Sequence, residues 1–124
     1  MSGHNQDALD AIIDINQAVI QYGARLDIIE REEILPRDAY DGAKFTETLF
    51  PAMGIVRNSV SKQIETLMRL ESINSYELSL VLNSSYFITK ANTIKLRGSI
   101  YRVILINIKE IQDTIISYEV LLAK

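Results

Sequence analysis

The residue types that most often carry catalysis are nearly missing from this chain. Of its 124 residues none is cysteine, and the single histidine is His4. Zinc fingers, iron–sulfur clusters, thiol nucleophiles and Ser-His-Asp triads therefore lack atoms that their chemistry requires. What remains is the chemistry of charge, and the charges are unevenly spread. Residues 1–50 hold four Lys or Arg and ten Asp or Glu, net −6; residues 51–109 hold eight and three, net +5; residues 110–124 hold one and three, net −2.

The acids come first. Asp7, Asp10 and Asp14 follow one another at i, i+3 and i+7, and Glu30, Glu32 and Glu33 form a second cluster. On a helix the first three share one side, where a hard cation could bind, but acids in the opening turns also offset the positive end of the helix dipole. The dipole reading is the stronger, because the Glu-x-x-His pair of carboxylate-bridged di-iron sites is missing. Neither a metal nor a cofactor is expected.

Cations gather later. Between Tyr86 and Lys109 lie Lys90, Lys95, Arg97, Arg102 and Lys109 with no acid among them, and Lys95, Arg102 and Lys109 recur every seven residues. On a helix that period draws a positive stripe, which suits phosphates or an acidic protein surface and equally suits a solvated edge or a complement to the acidic N-terminal half. A net charge of −3 and a pI near 5.1 argue against a nucleic-acid binder, and no glycine-rich phosphate loop is present. Arg57, Asn58, Ser59, Ser61 and Lys62 have no partnered base and read as surface.

The elements that would position these groups follow from apolar spacing. Ala8, Ile12, Ile15, Val19, Tyr22, Leu26 and Ile29 alternate four and three apart, which predicts a helix over about 6–34 with Gly23 as an internal weak point and a stop at Pro36. Residues 37–50 have no sustained period and read as a loop with a helical turn. Met53, Val56, Val60, Ile64, Leu67 and Leu70 predict a second helix over about 47–72, with Gly54 inside it. Asn74 and Glu77 resemble a capping box at the start of a short third helix over about 75–90. Ile94, Arg97, Tyr101, Ile104, Ile108, Ile111, Ile115, Tyr118 and Leu122 predict a fourth over about 93–122. The expectation is one all-α domain over residues 1–124, an antiparallel bundle of three long helices and one shorter one. The alternative is an α+β fold, with a β-hairpin within 76–106, because Tyr76–Leu82 and Ile94–Arg97 alternate like strands.

The 19 isoleucines, against three phenylalanines and no tryptophan, give an aliphatic core. Seven of the nine residues from Ile100 to Ile108 are apolar, more than one face of a helix can bury. Ile100, Val103, Leu105 and Ile106 therefore become candidate partner contacts, with self-association through the last helix as an accompanying expectation. The reading is a non-enzymatic interaction module of the adaptor, chaperone or inhibitor type that binds a protein partner. The alternative is a binder of RNA or a phosphate-bearing ligand through Lys95, Arg102 and Lys109. The N-terminus lacks the features of a signal peptide and no apolar stretch is long enough to span a bilayer, so a cytoplasmic, soluble protein is expected.

Overall fold

The N-terminal stripe forms a helix, but Gly23 ends it. In a computed structural model describing residues 2–34 and 44–124, with side chains over 6–32 and 45–124, α1 spans Ser2–Tyr22. The Gly23 N–H donates to the Val19 carbonyl at 2.8 Å, and a Cβ at Gly23 would lie 2.3 Å from that oxygen. The chain leaves the helix there and becomes extended.

Six strands follow: β1 (Ala24–Ile34), β2 (Lys44–Arg57), β3 (Leu78–Asn83), β4 (Thr93–Leu96), β5 (Ser99–Ile111) and β6 (Thr114–Ala123), with α2 (Lys62–Leu70) between β2 and β3. They close an antiparallel barrel in the order β1-β2-β3-β6-β5-β4, with β4 returning to β1. Alternate residues point inward, as strand geometry requires. Leu26 and Ile28, Ala52, Leu80 and Leu82, Ile94 and Leu96, Val103, and Tyr118, Val120 and Leu122 fill the interior. Gly54 belongs to the same row, and a Cβ there would come within 2.8 Å of Leu80 and 2.9 Å of Leu82.

Both helices lie outside the barrel. Alpha-2 presents Ile64 to Leu105 and Leu121, flanked by Leu67, Met68 and Ile104. Alpha-1 buries Ala8 and Val19 and packs on β6, β2, β3 and β5. Strand β6 therefore has protein on both faces, and Ile116–Leu122 are all buried. Two tight hairpins connect β4 to β5 and β5 to β6. Arg97 and Gly98 have φ of 53° and 81°, and Gln112 and Asp113 of 51° and 64°, as a two-residue turn with positive φ at both positions requires.

The all-α bundle expected from spacing is overturned, and so is the alternative in which a hairpin within 76–106 precedes a last helix. A hairpin does lie in that interval, but it is part of the barrel wall, and residues 99–111 and 114–123 are strands rather than a last helix. The expected second helix is divided between β2 and α2. The Asn74–Glu77 capping box is not formed; the Glu77 N–H donates instead to the Leu122 carbonyl at 2.8 Å, at the entrance to β3. The physical reason is double burial. A strand covered on both sides is apolar at successive positions, so a three-four subset can be selected from it that no helix uses. The stop at Pro36 and residues 37–43 of the expected loop lie outside the described residues, and the rest of that loop, 44–50, is strand β2.

Candidate functional site

Three concavities stand out among the described residues, and the first is charged. It holds about 490 Å³ and is lined by Arg25, Leu26, Asp27, Pro51, Ala52, Met53, Tyr86, Lys95, Arg97 and Gly98. The sheet register explains why these residues meet. Asp27 faces Pro51 on one side and Lys95 on the other, and Arg25 faces Met53. The β1–β4 pairing ends at Leu26–Leu96, and just beyond it Arg25 of β1 and Arg97 of the β4–β5 turn line the same groove. The Tyr86 hydroxyl accepts the Met53 N–H at 3.3 Å, which leaves its own proton free to donate.

The second concavity, of about 300 Å³, lies between Ile15 of α1, the start of α2 and the outer faces of β5 and β6. Arg57, Lys109, Glu110, Asn107, Ser117 and Glu119 contribute its polar groups. Its buried carboxylate is already engaged: Glu119 accepts the Ser61 N–H at 3.1 Å and the Ser61 hydroxyl, and the Ser61 oxygen accepts the Ile64 N–H at 3.2 Å. Nearby, the Ser79 hydroxyl donates to the Ser59 carbonyl at 2.8 Å, and that of Tyr76 to Asn58 at 3.1 Å. These bonds pin residues 58–61 to the barrel and cap α2, so Asn58, Ser59 and Ser61 serve structure rather than forming a bare surface. The third, of about 150 Å³, lies beside Phe50, Phe87 and Asn92.

A further notable surface is the β1–β2 hairpin. It pairs throughout from Ala24–Gly54 to Ile34–Lys44, but β4 covers β1 only over residues 26–29 and β3 covers β2 only over residues 54–57. Beyond those limits the two strands run on with no further strand partner among the described residues. Phe45, Leu49 and Phe50 are each about half exposed on this extension. Arg31 stands 4.1 Å over the Phe45 ring and 3.9 Å from the Glu47 carboxylate.

The groups singled out from sequence are dispersed. Lys95 lines the basic groove, Arg102 lies on the same outer face opposite Thr93, and Lys109 lines the pocket between the helices. The β4–β5 hairpin keeps Lys95 near Arg102, but seven residues along extended β5 span on the order of 20 Å, which carries Lys109 away, so the positive stripe expected on a helix edge does not form. Of the candidate apolar contacts, Val103 and Ile106 pack in the barrel interior and Leu105 lies under α2, while Ile100 is 58% exposed. The apolar surplus of 100–108 is thus largely used within the chain, and the last helix through which copies were expected to associate is absent. Asp7, Asp10 and Asp14 are exposed on α1, and no group of three or more His, Cys, Asp or Glu close enough to hold a metal occurs among the described residues.

Sequence reasoning missed Arg25, Asp27 and Tyr86, together with Phe45, Leu49 and Phe50, and counted Arg97 only as one cation among five. The usable signal was Leu96-Arg97-Gly98-Ser99, a turn dipeptide between two alternating runs, which would have brought Lys95 and Arg97 to one hairpin. No helix among the described residues is long and apolar enough to cross a membrane. No protein-family model, curated protein or solved structure matches the chain.

Proposed function

We propose that the protein is a non-enzymatic interaction module whose docking element is the β1–β2 hairpin, and that its occupant is an extended segment of a protein partner added as a strand to the free edge of β2. The observation that carries this reading is the length of the hairpin: residues 44–50 continue beyond the pairing with β3, with Phe45 and Leu49 on the outer face beside them. An open edge supplies main-chain donors and acceptors for affinity, and alternate side chains supply specificity.

The edge has a defined polarity. The Met53 N–H points away from β1, to Tyr86, and N–H direction alternates along a strand, so the N–H groups of Phe45, Glu47 and Leu49 point the same way. Pro51 fits this pattern, since proline within a sheet is confined to positions whose missing N–H faces an edge. The same logic supplies a test. Glu47→Pro removes one edge donor while leaving the bonds to β1 intact, so the hairpin persists and strand addition is blocked.

The experiment places a photo-cross-linking side chain at Leu49 of the full chain in its own host and identifies the attached peptide by mass spectrometry. The expected result is one recurrent partner segment, lost when Glu47→Pro is added, with the Phe45, Glu47 and Leu49 amides of the purified complex protected from exchange. Cross-links that persist unchanged in Glu47→Pro, or a partner that protects other amides only, would refute the reading.

A further inference from the structure

We infer that the groove between β1 and the β4–β5 turn is an anion site that takes a compact ligand with two or more linked phosphates, held between Arg25 and Arg97 with Lys95 alongside. This site is separate from the free edge of β2 and does not depend on the docking role proposed for it.

Charge is unbalanced at the site. Three cations line the groove against one acid, Asp27. The register sets Asp27 opposite Lys95, while Arg25 and Arg97 line the groove just beyond the last β1–β4 pair. Like charges gathered in one groove repel one another. Among the described residues the ion pairs are Arg31–Glu47 and Lys90–Glu71, so no carboxylate of the described residues lies within 4.0 Å of the three groove cations. A bound anion would relieve this arrangement, and two planar guanidiniums favour phosphate because each offers a fork of N–H donors that matches its oxygens.

The backbone holds the arrangement in place. Arg97 has φ of 53°, a conformation that costs a non-glycine residue energy, and Gly98 beside it has φ of 81°. The turn fixes Arg97 at the rim of the groove rather than on a flexible loop. The Tyr86 hydroxyl proton, free because its oxygen accepts from Met53, adds a neutral donor to the wall. Arg102, on the same outer face two residues from Ile100 and opposite Thr93, extends the positive field past the groove. A volume of about 490 Å³ suits a small molecule rather than a long polymer.

The test titrates the full-length protein with inorganic tripolyphosphate, ATP and a short DNA duplex, reading heat and amide shifts at low and at physiological salt. The expected result is saturable binding of tripolyphosphate and ATP, with shifts centred on Arg25, Arg97 and Gly98. Arg25→Ala and Arg97→Asn should each weaken it roughly tenfold or more. Asparagine is chosen at position 97 because it tolerates positive φ and so removes the charge without the turn. Lys109→Ala, in the pocket between the helices, should leave binding unchanged, and Asp27→Asn should tighten it. Wild-type shifts can be read even if a variant fails to fold. Absence of saturable binding, equal loss in Lys109→Ala, shifts remote from the groove, or binding of duplex without tripolyphosphate would overturn the inference.

Discussion

The buried Glu119 carboxylate on β6 holds the first turn of α2 through Ser61, accepting both its N–H and its hydroxyl, while the Ser61 oxygen in turn accepts the N–H of Ile64. One side chain thus links the most deeply covered strand to the cap of the helix that covers it. Ser61→Ala removes two of these three bonds and leaves part of the Glu119 carboxylate unsatisfied. It should cost about 1–3 kcal/mol in urea unfolding. Glu119→Gln, which keeps an acceptor, should cost less than Glu119→Ala, and a double-mutant cycle with Ser61→Ala should show coupling.

Two glycines should fail for different reasons. Gly54→Ala drives a methyl toward Leu80 and Leu82 inside the barrel, where overpacking costs roughly 1–3 kcal/mol. Gly98→Ala meets nothing within 4 Å but must hold φ near 81°, a backbone cost of about 1–2 kcal/mol. Thermal melts measure both, and a larger residue should widen the deficit at Gly54 while changing it little at Gly98.

The four apolar residues of β5 separate by burial. Leu105→Ala, emptying the space beneath Ile64, should destabilise by about 2–5 kcal/mol, whereas Ile100→Ala, at an exposed position, should stay within about 0.5 kcal/mol. Equal effects at the two sites in chemical denaturation would contradict the placement of α2 over the barrel.

Amide exchange should rank the strands. Val120 and Leu121, covered on both faces, belong with the slowest amides, while the free-edge N–H groups of Phe45, Glu47 and Leu49 should exchange rapidly in the isolated protein. Circular dichroism of the same sample should show a strand-dominated spectrum.

Several features were legible in the residues alone. The stripe Ala8, Ile12, Ile15 and Val19 marks the buried side of α1, and Ile64 and Leu67 face inward on α2, because a helix lying on a surface shows its period regardless of what that surface is. The missing cysteines and the single histidine bounded the chemistry without any coordinates. Gly23 was visible too, but whether a glycine interrupts a helix or ends it depends on what the next residues pair with, and Leu26, Ile28 and Ile29 find their partners in β2 and β4, remote in sequence.

Only the tertiary structure decided the rest. Ile104, Ile108, Ile111 and Ile115 fit a helical seam when one burying face is assumed, but the barrel interior and the two helices supply two faces, and the alternation that identifies a strand then disappears from its sequence. The same closure decided the fate of the charges. Lys95, Arg102 and Lys109 lie seven apart in the chain, yet a strand carries Lys109 away to another pocket while β1–β4 pairing brings Arg25 into one groove with Arg97, some seventy positions distant in sequence. Spacing along the chain fixes neighbours only when the element is known, and here the element was fixed by pairings that no local window contains.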